Sequence, residues 1–384
     1  MPGKPIEEVT LNKGEWAEFY VMLKLLGEGK LYTANALLQR NIDNYLNIVK
    51  VIREESDTGV IDYIVDDERD VVQIRKRDTG ELLEEVHKTL FDETANTLFI
   101  NINRQRGSSL PAPASVCAFA RIIYVNQPKA PAVKALERQF GGKNDIFIEV
   151  RDPSTSIKSI MGFSIKSKFG QAPTLFNAGT TSQMLYEVMS CNDGIMETFN
   201  NFVADNKREW GRCKEYVQNN GINLDFVSAM YQTYQDNLSL VTESMPRILG
   251  WCFKDTMMGI DVDNRILETC DRLAIANPLD KSNPDVFYKK ILKDYLMAGF
   301  TGMTAGQVWD GEEQVNGGYI VVMDDGEVLC YHSNDREAFR NYLFKNTHFE
   351  YVSAKKYKWS FIFKEDNHYY LPINASVRFC KETR

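Results

Sequence analysis

Two runs of alternating residues, separated by a turn-forming segment, constrain the fold of this chain most strongly. The first run extends from Asn144 to Asp152 and the second from Ile160 to Lys168, and the segment Asp152-Pro-Ser-Thr-Ser156 between them is rich in residues that favour turns. Side chains in a strand alternate between two faces. The pattern predicts an antiparallel hairpin that carries an acidic residue and a lysine on the same face.

The acidic residue on that face is Asp145 and the lysine is Lys166. With the turn centred in residues 152–156, antiparallel pairing brings Asp145 roughly opposite Lys166, and alternation places Ser164 on the same face as the lysine. Asp152 lies beside the turn proline, where a hydrogen bond to local backbone is its expected role. Asp145 is therefore the preferred acid, with a plain cross-strand ion pair to Lys166 as the alternative.

A helix is predicted near the start of the chain. The segment from Asn12 to Glu15 has the form of a capping box, and apolar residues follow it at helical spacing, which predicts a helix over residues 13–26. On a helical wheel, Glu15 falls at the margin of the apolar face and Glu18 lies further round toward solvent. Glu15 is thus the better candidate for a partly buried functional carboxylate, although it could serve only to complete the cap.

The rest of the chain has the pattern of an α/β protein of the α+β type. Neither a repeat nor a low-complexity linker separates its parts, so we expect one core over 1–190, a helical subdomain over 191–300 and a β-rich C-terminal part over 301–384. The predicted elements are β-rich runs over 48–76, a helix after Asp78-Thr-Gly-Glu81 through Leu90, a helix from Ala130 to Phe140 that stops at Gly141-Gly142, a polar loop and then a helix over 174–187, mostly helical patterns over 191–300, and hairpins with one helix between Tyr319 and Phe379.

Bulk properties exclude several classes of protein. A net charge of −8 argues against a nonspecific polyelectrolyte binder but leaves room for a local basic groove. The seven cysteines contain no CxxC pair and the four histidines lack metal-ligand spacing, which argues against zinc sites and histidine-based catalysis. Because the sequence contains no stretch of about 18 apolar residues and no secretory signal, we expect a soluble intracellular protein without a membrane partner.

The residues of the predicted hairpin suit phosphodiester hydrolysis. That reaction needs a water in line with phosphorus and cations that offset the developing charge, and a carboxylate-bound Mg²⁺ meets the second need. Asp145 would bind the ion, together with the backbone carbonyl of Ile165. Lys166 would orient or help deprotonate the water and stabilise negative charge. The Ser164 hydroxyl could hold a water or coordinate weakly, but it cannot replace a carboxylate.

A second carboxylate must come from outside the hairpin. Glu149 is four residues from Asp145, about 13 Å along a strand, which is too far to share one ion. Helices packed on a sheet can direct side chains back to it, so Glu15 ranks first and Glu187 second as additional metal ligands.

Several blocks of sequence resemble a known family. The chain resembles the HpaII family of type II restriction endonucleases over most of its length, and the most specific block is Gly162-Phe-Ser-Ile-Lys-Ser167 with an upstream Asp-Ile pair. The other matching blocks are Lys13-Gly-Glu-Trp-Ala-Glu18, Leu23-Lys-Leu-Leu26, Asn144-Asp-Ile146, Thr174-Leu-Phe-Asn-Ala178, Gly318-Tyr-Ile-Val-Val322, Gly326-Glu-Val-Leu-Cys-Tyr-His332 and Arg378-Phe379.

The resemblance implies a restriction-endonuclease-like PD-(D/E)XK fold, in which helices flank a mixed central sheet. It also implies Mg²⁺-dependent cleavage of double-stranded DNA at CCGG, leaving 5′-phosphate and 3′-hydroxyl ends, with Asp145 and Lys166 as the catalytic pair. Ser164 occupies a place where many such nucleases have an acid, which leaves the second metal ligand open. The segment 371–379 departs from the apolar, glutamine-containing strand expected there, so a recognition sequence other than CCGG stays open.

A palindromic target implies a homodimer on DNA, because each strand needs its own active site. A restriction enzyme of this family also implies a cognate DNA methyltransferase and a place in the cytoplasm of a bacterial or archaeal cell. Location and polarity alone suggest the DNA-contacting residues, and the cluster at 355–359 interleaves lysines with aromatic residues as nucleic-acid surfaces often do. These candidates are Lys168, Asn177, Thr181, Gln183, Lys355, Lys356 and Lys358.

Two other functions remain open at this point. A DNA-binding protein with a hydrolytically silent site is favoured if the serine removes the second acid. A repair nuclease of the same fold would cut damaged or branched DNA instead of one short sequence.

Overall fold

The computed structural model describes residues 9–35, 38–105, 107, 109–129, 133–140, 144–153, 155–169, 174–206, 210–258, 263–312, 317–332, 336–350 and 360–380. The chain forms two compact units, which consist of residues 1–173 with 313–339 and residues 174–312 with 340–384. These ranges differ from the expected three-part division, because residues 318–332 return to the sheet of the first unit. That return is a long-range pairing, which no local pattern reveals.

The first unit contains four helices and eleven strands within its described residues. The helices are α1 (Lys13–Glu28), α2 (Lys88–Arg104), α3 (Ala114–Ile122) and α4 (Lys134–Phe140). The strands are β1 (Thr10–Leu11), β2 (Lys30–Ala34), β3 (Arg40–Glu55), β4 (Gly59–Asp66), β5 (Val71–Lys76), β6 (Leu82–His87), β7 (Leu110–Pro111), β8 (Ile146–Arg151), β9 (Lys158–Ser167), β13 (Gly318–Val322) and β14 (Val328–His332).

A nine-stranded mixed sheet organises this unit, in the order β2-β14-β13-β9-β8-β3-β4-β5-β6. Strand β9 pairs antiparallel with β8 and parallel with β13, so the predicted hairpin lies at the centre of the sheet. Apolar residues of β8 and β9 that face α1, such as Ile146, Ile148 and Phe163, join the main core. On the opposite face Phe147 packs with residues of α4 in a smaller cluster. Helices and a mixed sheet confirm the predicted fold class.

Helix α1 confirms the prediction for residues 13–26. The side chain of Asn12 accepts a hydrogen bond from the backbone N–H of Glu15 (3.0 Å), and the Glu15 carboxylate accepts one from the backbone N–H of Asn12 (2.9 Å), which is the predicted capping box. The helix ends at Gly29, whose positive φ of 70° is the left-handed conformation that glycine adopts readily. Ten of its sixteen residues are buried.

The second unit begins at β10 (Thr174–Phe176) and contains two sheets within its described residues, in the orders β10-β18-β15 and β12-β11-β17-β16. Its other strands are β11 (Gln183–Met189), β12 (Asn223–Ala229), β15 (Thr347–Phe349), β16 (Phe363–Glu365), β17 (His368–Asn374) and β18 (Val377–Phe379). Its helices are α5 (Asp193–Asp205), α6 (Trp210–Asn219), α7 (Gln232–Val241), α8 (Met245–Met258), α9 (Ile266–Ala276) and α10 (Pro284–Thr301), while α11 (Arg336–Asn346) runs from residues of the first unit into the second.

Two helix predictions are wrong. Residues 82–87 form β6, because Asp78-Thr-Gly80 is the turn of a β-hairpin, with Gly80 at φ 71°, and Val72 pairs with Val86 across it. Residues 183–189 form β11, in which alternate side chains (Met184, Tyr186 and Val188) are buried. The region 191–300 is mostly helical as predicted, but it also contains β12.

Two further predictions concern the end of one helix and the absence of a membrane-spanning segment. The helix stop predicted at 141–142 lies outside the described residues. Among the helices that the structure describes, none is both long and apolar enough to cross a membrane.

Candidate active site

Asp145 lies directly before β8, and strand β9 fixes its carboxylate. Its backbone N–H donates to the carbonyl of Phe163 (2.8 Å). One carboxylate oxygen, Oδ2, accepts hydrogen bonds from the backbone N–H of Ile165 (2.7 Å) and from the hydroxyl of Ser164 (3.0 Å). The half-buried carboxylate is therefore held just before the start of β8, and among the described residues its other oxygen, Oδ1, accepts no hydrogen bond.

Lys166 lies two residues beyond Ser164 on the same face of β9. The β8–β9 register pairs Ile146 with Phe163, so Asp145 lies next to Ser164 and not opposite Lys166 as expected. The difference arises because the connection extends from Asp152 to Ile157, whose backbones are hydrogen-bonded across the turn. Within the part of the chain that the structure describes, the Lys166 ammonium group forms neither an ion pair nor a side-chain hydrogen bond, so the ion-pair alternative is not what the structure shows.

The backbone of β9 directs alternate peptide groups to opposite neighbours. Gly162 and Lys168 bond to the β13 side, because the Gly162 carbonyl accepts from Gly317 (3.0 Å) and the Lys168 N–H donates to Val322 (2.8 Å). Phe163 bonds to the β8 side. In a regular strand the N–H and C=O of one residue point to the same side. The carbonyl of Ile165 therefore points toward the end of β8, as its N–H does, and faces the region of Asp145.

Glu18 of α1 is the second carboxylate of this region. Burial raises the pKa of Glu18 to about 7, and the negative charge of Asp145 is the next largest cause in the same direction. Lys129 and Arg53 act in the opposite direction on this pKa. The helical-wheel prediction that Glu18 turns toward solvent is wrong, because α1 is buried on more than one face and its polar residues do not all reach water.

Glu15, the acid ranked first from the sequence, serves as the cap of α1. Its carboxylate accepts the hydrogen bond from Asn12 described above, and its negative charge contributes only the last of the causes that raise the pKa of Glu18. The cap alternative therefore accounts for the contacts that Glu15 makes.

A buried ion pair holds the segment that carries Lys129. Arg53 is 4% exposed, and its guanidinium group donates to Glu55 (2.9 Å) and to the carbonyl of Gln127 (2.6 Å). Glu55 in turn accepts from the backbone N–H of Asn126 (3.0 Å). The pair thus fixes residues 126–128, which precede the exposed Lys129. Sequence reasoning missed Arg53 and Lys129, because the contacts that join the strand of Arg53 to the segment before Lys129 link residues more than 70 positions apart in the chain.

The remaining predicted site residues lie in several places. Glu187 lies on a strand of the second unit and pairs with Nδ1 of His368 (2.6 Å). Asn177 is exposed, Thr181 and Lys168 are half-buried, and Gln183 is only 6% exposed. The burial of Gln183 removes its side chain from the surface that a duplex could contact. Lys355, Lys356 and Lys358 lie outside the described residues.

The donor atoms at the end of β8 suit a hard divalent cation. Among the described residues no group of three or more His, Cys, Asp or Glu side chains converges as a complete metal site. Mg²⁺, however, commonly binds through one or two carboxylates and keeps several waters. The Asp145 carboxylate, the Ile165 carbonyl and the Glu18 carboxylate are oxygen donors of this kind, so the residues fit such an ion.

Comparisons with known proteins give a consistent result. The model of the HpaII restriction endonuclease family matches residues 12–379. The type II restriction enzyme HpaII of Haemophilus parainfluenzae is 26% identical over 370 residues, which cover 96% of this chain and 98% of that enzyme. No solved structure matches the chain significantly.

Proposed function

The chain belongs to the HpaII restriction endonuclease family, and on that premise we propose that it hydrolyses both strands of DNA at a short palindromic sequence with Mg²⁺ as cofactor. Membership of the family makes it a site-specific endonuclease. The main support for the proposal is the position of the Asp145 carboxylate beside β8, where hydrogen bonds from Ile165 and Ser164 fix it. The ammonium group of Lys166 follows on the same face of β9.

Asp145, the Ile165 carbonyl and Glu18 would hold the Mg²⁺. When bound, the ion would lower the pKa of a coordinated water and offset negative charge on the phosphate. Lys166 has no described protein carboxylate as partner, so its ammonium group is available to a non-bridging phosphate oxygen and to the attacking water. Ser164 donates its hydroxyl hydrogen to Asp145 and so orients the carboxylate, but contributes no charge of its own.

Glu18 replaces Glu15 in this proposal as the second acid. Two carboxylates that repel each other across a small space raise one another's pKa, and a divalent cation between them reverses that effect. Burial is the largest cause of the raised pKa of Glu18, and the negative charge of Asp145 acts in the same direction, so a cation bound near both would lower this pKa. Ser164 therefore need not be an acid for two carboxylates to serve the site.

The recognition sequence is proposed as CCGG, with 5′-phosphate ends. A palindrome of this kind is cut on both strands by two symmetric copies, so a homodimer on DNA and a cognate methyltransferase belong to the proposal. Asn177 and Thr181 are the proposed base-contacting residues, because amide and hydroxyl side chains can hydrogen-bond to base edges. Lys168 and Lys355, Lys356 and Lys358 are proposed phosphate contacts.

Incubation of a plasmid of known sequence with the purified protein, in Mg²⁺ or in EDTA, tests the proposal. We expect discrete fragments in Mg²⁺ alone, and sequencing of their ends should show one recurrent palindrome. Cuts without a common sequence would contradict the proposal and indicate a repair nuclease. Binding without cleavage would contradict it too, and would support the silent DNA-binding alternative that the serine at position 164 favours.

A further inference from the structure

A short exposed loop of the second unit, residues 177–181, is fixed at both ends by buried side chains. The loop follows β10 and leads through the single 3-10 turn Thr180–Ser182 into β11. Asn177 and Thr180 are exposed and Thr181 is half-buried. The loop contains no charged residue, so it offers amide and hydroxyl groups and no cation to a ligand.

The start of the loop is anchored by Phe176, which is 6% exposed. Its ring stacks on that of Tyr295, with centroids 4.5 Å apart and planes 3° apart. The ring also lies against the backbone of α10 at Gly299, where an added Cβ would be 1.7 Å from a ring atom. Close packing on both sides leaves Phe176 no freedom to shift, so the loop begins at a fixed point.

Two fully buried polar side chains, those of Asn374 and Ser376, contact backbone carbonyls of the loop and of the residue before it. The hydroxyl of Ser376, which has a single hydrogen, lies within hydrogen-bond distance of the carbonyl of Phe176 (3.0 Å) and of the carboxylate of Glu350 (3.1 Å). The side-chain amide of Asn374 donates to the carbonyl of Gly179 (3.0 Å). Between them the backbone N–H of Ala375 donates to the carbonyl of Ser182 (2.8 Å). Residues 374–376 thus contact the residue before the loop (Phe176), one within it (Gly179) and the residue after it (Ser182). We refer to residues 374–376 as the clamp.

The clamp lies where one stretch of chain passes between two sheets. Asn374 pairs with Gln183 in the β11–β17 ladder, and Arg378 pairs with Thr174 in the β10–β18 ladder. The two strands that flank the loop therefore each pair with a strand that flanks the clamp. The two ladders fix the distance between the ends of the loop, and the hydrogen bonds from the clamp fix the position of its backbone.

Stability alone does not account for Asn374. Asn374 and Ser376 are both 0% exposed, and Oδ1 of Asn374 has no hydrogen-bond partner among the described residues. A buried acceptor without a partner costs about 1–3 kcal/mol. The described hydrogen bond of the Asn374 side chain is therefore the one to Gly179, within an exposed, uncharged polar loop.

We propose that Asn374 and Ser376 are positioning residues that fix the 177–181 loop in the conformation that reads the recognition sequence. The proposal rests on the proposed function, since it concerns how the same enzyme selects its DNA. Base edges are read by amide and hydroxyl groups at defined positions, and a preorganised loop loses less conformational entropy on binding. A loosened loop would still reach DNA, but it would distinguish the cognate sequence less well from its single-base variants.

A matched pair of variants at Ser376 tests this inference. Ser376→Thr and Ser376→Val introduce side chains of the same shape, and only threonine keeps the hydroxyl that contacts Phe176 and Glu350. Cleavage rates are measured on duplexes that carry the wild-type cut sequence or one of its single-base variants. We expect Ser376→Val to reduce the ratio of these rates by about 10- to 100-fold, the value of one lost base contact, and Ser376→Thr to retain it.

A second set of variants covers the case in which Ser376→Val does not fold. Asn177→Ala and Thr181→Ala remove the two proposed base-contacting side chains, of which Asn177 is exposed and Thr181 half-buried, and should also reduce discrimination. Thr269→Val removes a buried hydroxyl that donates to the carbonyl of Arg265 (2.9 Å) on α9, and should lower the melting temperature without changing discrimination.

Two results would overturn the inference. One is that folded Ser376→Val discriminates as well as Ser376→Thr. The other is that the double variant at Asn177 and Thr181 discriminates as well as the wild type. If the wild type itself produced no recurrent cut sequence, the proposed function would fail first, which separates the two failures.

Discussion

The end of β8 and the 177–181 loop are assembled in opposite ways. Asp145, Ser164 and Lys166 come from one hairpin and lie within about twenty residues of chain, so local pairing alone brings them together. The loop is fixed by Asn374 and Ser376, which lie about 200 residues away in sequence. The proposed chemistry thus depends mainly on local structure, with Glu18 of α1 as its one distant contribution, whereas the proposed sequence selection depends on the complete fold of the second unit.

Lys166→Met should separate the two regions most strongly. Methionine keeps much of the length of the side chain but removes the ammonium group that faces the phosphate, so we expect cleavage to fall by about 100- to 10,000-fold. Discrimination in binding should not change, because the loop is intact. Single-turnover cleavage and gel-shift assays on cognate and variant duplexes measure both quantities, and a less than threefold loss of rate would remove Lys166 from the site.

A comparison of Glu18→Gln with Glu15→Gln should identify the second acid. Glutamine at position 18 removes a charge beside Asp145, and we expect a loss of about 10- to 100-fold in cleavage that added Mg²⁺ partly restores. Glutamine at position 15 can still accept the hydrogen bond from Asn12, so cleavage should change little. The reverse order of effects would restore the original ranking of Glu15.

Gly299→Ala should break the anchor of the loop. The added methyl group would overlap the ring of Phe176, and overpacking of this kind costs about 1–3 kcal/mol. Gly194→Ala is the control, because an added Cβ there meets only the side chain of Asn192 at 3.3 Å. Chemical denaturation measures both variants, and equal stabilities would show that the Phe176 contact is not tight.

The raised pKa of Glu18 predicts a smaller effect, a change with pH in the free energy of unfolding of the metal-free protein. Its folded pKa of about 7 lies above the ordinary value of 4.5, so its contribution to stability is present below pH 4.5 and is lost as pH rises through 7. We therefore expect Glu18→Gln to be more stable than the wild type at pH 8, by about 1–2 kcal/mol, and equal to it at pH 4.5. A constant difference between these pH values would contradict the burial of this acid.

The sequence predicted the local features of the first region. The capping box of α1 and the β8–β9 hairpin depend on residues close in the chain, and both are confirmed. The register was wrong by two residues, because the turn is formed by residues 152–157 and its pairing cannot be read from composition. Glu18 was misplaced because a helical wheel assumes one buried face, whereas α1 is buried on several.

The contacts of the second region could not be predicted. The pattern over 174–187 predicts a polar loop and then a helix, whereas residues 183–189 form a strand that pairs with residues 370–374. Neither Asn374 nor Ser376 stood out in the sequence, since buried polar residues are recognisable only when their partners are known. The pairing of β13 with β9 was missed for the same reason.

Cleavage by the Asp145→Asn variant tests the central claim most directly. Asparagine keeps the shape of the side chain and an oxygen that can accept from Ile165 and Ser164, but it removes the negative charge. In Mg²⁺ we expect the variant still to bind the cognate duplex and to cut at less than about one-thousandth of the wild-type rate. A variant that cuts the same sequence at a rate near that of the wild type would contradict it.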